Sequence, residues 1–196
     1  NFDKSDDVVE KTDDPTQVIP EGYVKVTFKT EDEAKGKLDG EKLEKIYYVN
    51  PKAGIKLGKA ETEDNKTLVV PKTLPADNYE FVKWYEEIDT ENSITSERIH
   101  VAKFRLVKVT LTYEAGEGAT GNVPAELEVD YGTSVRLAGP GNLAKPNATF
   151  AGWKIGEKTY QAGEEVTLTK NTTATAEWNT AKHTVTFDTK GGSNVP

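Results

Sequence analysis

Residues 23–30 read YVKVTFKT, with Val24, Val26 and Phe28 alternating against Lys25, Thr27 and Lys29. A period of two is the pattern of a strand with one buried face. The pattern returns at 106–113, LVKVTLTY, with the same Val-Lys-Val-Thr core, and again at 183–190, HTVTFDTK. Other landmarks repeat behind each start. NYEFVKWYEE (78–87) answers NATFAGWKIG (147–156), each containing Phe-x-x-Trp, and HVAKF (100–104) answers ATAEW (174–178). KIYYVNPKAGIKL (45–57) answers LEVDYGTSVRL (127–137).

These recurrences divide the chain into an acidic, Pro-containing linker (1–20), a first β unit with an insertion near 58–77 (21–105), a second β unit (106–179) and the truncated start of a third (180–196). Each complete unit is about the minimum size for an independent domain. Helical periodicity is weak. The best candidate is Ala53–Glu63, AGIKLGKAETE, where two glycines argue against a long helix. The predicted class is mostly β, with α+β as the alternative and at most one short helix per unit.

The aromatic residues raise a question of facing. Along FVKWY (81–85) strict alternation sends Phe81 and Trp84 to opposite sides of the sheet, unless an extra residue intervenes. Gly152, at the matching place in the second unit, is suited to such a bulge. Without bulges, one member of each Phe/Trp pair reaches the surface, where a ring is a platform for a sugar. With them, Trp84 and Trp153 join Trp178 in the core, which is the commoner place for large aromatics.

Residues 116–124, GEGATGNVP, satisfy the G-x-G-x-x-G spacing of dinucleotide-binding loops. Such a loop needs a helix directly behind it, so that its backbone N–H groups meet the pyrophosphate. Here Pro124 and the strand-like AELEVDYG follow. The third copy passes through VTFDTKGGSNVP (185–196) without that spacing, so the glycines are expected to serve a turn.

Composition narrows the chemistry. The 196 residues carry a net charge of −8, and the first twenty hold six acidic against two basic residues. No segment is a basic patch, which disfavours nucleic acid and anionic membranes as partners. No apolar run approaches the ~20 residues that cross a bilayer. There is no cysteine, so disulfides, thiolate metal sites and Cys nucleophiles are excluded. His100 and His183 lie in different units and form neither a metal set nor a triad. Glu86 with Glu87, and Glu164 with Glu165, are neighbours that a strand turns to opposite faces. These absences predict a protein that is not an enzyme and has no cofactor, metal or catalytic residues. Lys, Asn and Glu are all plentiful, which leaves an intramolecular Lys–Asn isopeptide bond open to a mass measurement.

VTFDTKGGSNVP, DYGTSV, FAGW and TATAEW together resemble the internalin B-repeat, or Listeria–Bacteroides repeat, family. Residues 106–179 carry the whole pattern, with Leu111 in place of the strand Phe. The first unit is a looser relative, with Lys83 where the second has Gly152 and Phe104 in place of the terminal Trp. The resemblance implies tandem small β-grasp-like domains on an extracellular bacterial surface protein, anchored to the cell wall through parts of a longer chain. It implies a stalk or spacer. The alternatives are an adhesin for a host extracellular protein or glycan, and an accessory domain of a large secreted enzyme. The junctions, HVAKFRLVKVT and EWNTAKHTVTF, are short, which favours a stiff monomeric array. For an adhesin, the insertion at 58–77 and the stretch FVKWYEEIDTENSITSE (81–97) are the first places to look.

Overall fold

The computed structural model describes residues 7–59 and 64–182. The third-repeat sequence from His183 onward, and residues 60–63 of the insertion, lie outside the described residues. The chain divides into two units between Val107 and Lys108.

The first unit holds nine strands: β1 (Val8–Glu10), β2 (Val24–Thr30), β3 (Gly36–Leu38), β4 (Glu44–Val49), β5 (Lys56–Gly58), β6 (Thr67–Val69), β7 (Thr73–Pro75), β8 (Tyr79–Tyr85) and β9 (Arg98–Leu106). Its main sheet has the order β1-β4-β2-β9-β8. The β2–β9 pair is parallel and its neighbours are antiparallel. Two small ladders, antiparallel β3–β7 and parallel β5–β6, sit in the crossover. The second unit holds β10 (Lys108–Glu114), β11 (Leu127–Asp130), β12 (Thr133–Arg136), β13 (Ala148–Ile155), β14 (Lys158–Tyr160), β15 (Glu165–Leu168) and β16 (Thr172–Thr180). Its sheet runs β11-β10-β16-β13-β14, with β10–β16 parallel and a separate β12–β15 ladder.

In each unit the opening strand of the repeat, β2 or β10, lies inside the sheet beside the last long strand, β9 or β16, the order of a grasp-like sheet. The fold is mostly β. A single 3-10 turn at Asp39–Glu41 is the only helical element among the described residues. Of the segment Ala53–Glu63, the best helix candidate in the sequence, the described residues form no helix: residues 51–54 make a turn and Lys56–Gly58 is strand. The glycines flagged in that segment explain the outcome, because Gly54 takes φ +73°, in the left-handed region.

Two further readings are corrected. The segment read as a linker supplies β1, which pairs antiparallel with β4. Val8 buries its side chain in the core, and the acidic residues around it build a turn: Asp14 Oδ1 accepts from the Thr16 amide at 2.9 Å and from its hydroxyl at 2.7 Å. The second correction concerns the repeat register. The shared Val-Lys-Val-Thr places Val24 with Val107, whereas the ladders place it with Val109. Phe28 faces His100 as Tyr113 faces Ala174, and Trp84 faces Ala102 as Trp153 faces Ala176. An offset of two preserves which side chains face inward, so alternation alone is blind to it.

Candidate functional site

Of the rings that suggested a sugar platform, Trp153 is fully buried, and Trp84 and Trp178 are half-buried and packed against the cores of their units. In the first unit Phe28 meets Trp84 (5.5 Å between centroids), Trp84 meets Phe81 (5.8 Å) and Phe81 meets Phe104 (6.0 Å). The second unit repeats the chain of contacts: Tyr113 to Trp153 (4.7 Å), Trp153 to Phe150 (5.1 Å) and Phe150 to Trp178 (5.9 Å). Both Phe-x-x-Trp motifs reach one face because the ladder slips between Phe81 and Lys83, and again between Phe150 and Gly152. The bulge therefore forms with or without glycine. The polar ends of the rings in the second unit are also satisfied. Trp153 Nε1 donates to the Ala138 carbonyl at 2.8 Å, Trp178 Nε1 donates to the Ala115 carbonyl at 2.9 Å, and the Ala138 amide donates to the Tyr113 hydroxyl at 2.9 Å.

The glycine-rich stretch is a loop leading to β11, pinned by backbone hydrogen bonds between Thr120 and Ala144. Gly116 and Gly121 have φ of +79° and +102°, and a Cβ on either would lie 2.7 Å from the Ala176 carbonyl oxygen or 2.5 Å from that of Asn142. Close approach and handedness require these glycines.

His100 is 2% exposed and stacks on Phe28 at 5.3 Å. Its Nδ1 lies 2.7 Å from the Glu86 carbonyl, which makes Nδ1–H the donor of a neutral ring, and Nε2 is buried with no partner among the described residues. Burial pushes the imidazole below its ordinary value of 6.5, the hydrogen bond to Glu86 opposing. The sign of the consequence follows. The unfolded chain takes up a proton near pH 6.5 while the folded one resists, so stability is full above that value and falls as the pH drops through it towards the lower folded value. Denaturant midpoints of the first unit should therefore decline between pH 7.5 and 5.5. A His100→Phe variant should flatten that decline. An unchanged profile in the variant would assign the acid sensitivity to other groups.

The described parts of the loops expected to carry function are held by packing and hydrogen bonds. In the insertion, Leu68 is 1% exposed and β6 pairs with β5. In the 81–97 stretch, Ile94 is fully buried and its amide donates to the Ile55 carbonyl at 2.7 Å. Asp89 accepts from the side chain and amide of Asn92 and from the Glu91 amide, which lowers its carboxyl to about 2.

A groove of about 600 Å³ in the first unit is lined by Glu10, Asp39, Lys45, Tyr47, Val70 and Lys72 among others. Lys45 bonds Asp39 at 2.8 Å across it. Burial, with the carboxylates of Glu10 and Asp39, pushes the Tyr47 phenol up to about 12, so it stays a donor. The groove offers mixed charge and an apolar floor, a surface for non-covalent contact. Sequence reasoning missed it because one wall, Glu10, comes from the segment read as linker; the paired Val8 and Val9 were the available signal. Among the described residues no cluster of three His, Cys, Asp or Glu is placed to hold a metal.

Residues 45–105 and 110–177 each match the Listeria-Bacteroides repeat domain, and the chain belongs to that family as two tandem repeats. Two relatives in Evansella cellulosilytica, named "Putative membrane protein" and "Putative Gly-rich membrane protein", are each 26% identical over 151 residues. The alignment covers 72% of this chain but only 22% and 17% of theirs. No solved structure matches. No helix among the described residues is long and apolar enough to cross a membrane.

Proposed function

We propose that the chain is a non-catalytic spacer within a larger bacterial cell-surface protein, whose other parts supply the anchor. The observation that carries this reading is the use of the same aromatic chain of contacts in two successive repeats. It spends the residues most suited to ligand stacking on packing. The membrane label of the two relatives supports a surface location.

A second reading, an adhesin for a host extracellular protein or glycan, is favoured by the groove around Tyr47, with its apolar floor and mixed charge. Binding of the full chain to immobilised matrix and serum proteins and to a glycan panel separates the two. The spacer predicts no saturable binding by the folded chain. Saturable binding lost in a Lys72→Glu variant that keeps its melting temperature would replace the spacer with the adhesin.

A further inference from the structure

We propose that the open edge of β11 accepts an extended peptide strand carrying apolar and basic residues. This goes beyond the spacer reading and does not depend on it.

The repeat register makes β11 the counterpart of β4: Val24 pairs with Val49 as Val109 pairs with Val129. In the first unit that edge is filled. β1 lies antiparallel along it, pairing Val8 with Val49, Val9 with Tyr48 and Glu10 with Tyr47. The pairing extends at both ends, where the Asn50 amide donates to the Asp7 carbonyl and the Lys11 amide to the Ile46 carbonyl, each at 2.8 Å. With the strand in place Tyr47 is 8% exposed.

The second unit has the same edge without the strand. Among the described residues β11 pairs only with β10. Leu127, the counterpart of Tyr47, pairs with the fully buried Leu111 yet is 41% exposed. An inward-facing apolar side chain beside unpaired backbone groups is the arrangement that strand addition completes.

The charges choose the occupant. Glu126, Glu128 and Asp130 share the outer face of β11, three carboxylates beside Lys108, which bonds Asp130 at 2.6 Å. Asp130 stands where Asn50 does in the first unit, and Asn50 Nδ2 donates to Asp7 Oδ1 at 2.8 Å. A strand like β1 would bring Asp7 against Asp130 and Lys11 against Glu126 on the outer face, and would set the carboxylate of Glu10 against Leu127 on the inner one. The edge therefore disfavours the N-terminal segment of a second copy, at Asp7 and at Glu10, and favours lysine or arginine on the outer face and an apolar residue opposite Leu127. The opposite open edge, β8, is not equivalent. Its counterpart β13 carries β14, and a Cβ on Gly152 would lie 2.5 Å from the Tyr160 carbonyl oxygen. Lys83 occupies that place in β8, and an edge lysine blocks pairing.

The test titrates the isotope-labelled full chain with two seven-residue peptides and follows backbone amides by NMR. One has the sequence of residues 7–13; the other carries Asp7→Lys, Glu10→Leu and Asp13→Lys. The lysine peptide should shift the amides of residues 126–130 saturably, and at least tenfold more tightly than the unaltered one. The preference should shrink at high salt. N-methylation at its Val9, in a hydrogen-bonded pair by the alternation of the β1–β4 ladder, should abolish binding. The proposal is overturned if residues 126–130 stay unmoved at millimolar peptide. Equal binding by the unaltered peptide overturns the basic partner in favour of a second copy. Survival of binding after N-methylation overturns strand addition, and shifts confined to residues 46–50 reassign the peptide to exchange with β1.

Discussion

Replacing Trp153 with alanine should destabilise the second unit by about 3–5 kcal/mol, the range for removing a buried large aromatic. Trp153 is fully buried and its ring meets both Tyr113 and Phe150, so the cavity opens in the middle of the aromatic chain rather than at its end. The Ala138 carbonyl also loses its indole donor. Domains of this size hold about 5–15 kcal/mol in total, so the loss is a large fraction of the whole. Denaturant unfolding of the full chain should show the second unit's transition moving to much lower concentration. Amide resonances of Phe28 and His100 should report an intact first unit. A cost below about 1 kcal/mol would mean that the neighbouring rings close the gap, and that the ladder is less specific than its geometry suggests.

The second large effect is expected from Gly152→Lys, which gives the second unit the residue of the first. Gly152 has φ +140°, and an added Cβ would lie 2.5 Å from the Tyr160 carbonyl oxygen and 2.8 Å from Thr159 Cγ2. The backbone strain alone costs about 1–3 kcal/mol. The steric conflict should push β14 off the sheet edge. Hydrogen exchange should then accelerate along Lys158–Tyr160 while Ala174 and Ala176 keep their protection. The reciprocal change, Lys83→Gly, should cost less than about 1 kcal/mol. No described strand lies outside β8, and Lys83 is not among the residues with positive φ. If both substitutions cost the same, the approach of β14 is not what fixes the glycine.

These two residues show what the sequence discloses and what it hides. Alternation in VKVTFKT marked β2, and the recurrence of Phe-x-x-Trp marked the tandem repeat. The facing conflict within FVKW is itself a signal of the bulge, legible in the sequence. Other features lie beyond pattern reading. β1 is three residues long and set among carboxylates, so its one buried valine is too little to register as a period. The two-residue offset between repeats is silent because both alignments keep the same residues inward. The groove escaped for a third reason: its walls come from three places in the chain, and only the fold brings them together.

The parallel pairing of first and last strands has a mechanical consequence. Val26–Thr30 run alongside Arg98–Ala102, and Leu111–Glu114 alongside Thr172–Thr175. When a unit is pulled by its two ends, the first strand is drawn one way and the last the other, along their shared axis. The tension meets the connecting hydrogen bonds sideways and loads them together. A hairpin pulled from its open end releases its bonds singly. A tether built from such units yields by sliding a whole strand at once, so it should hold its length until a threshold is reached and then give way abruptly.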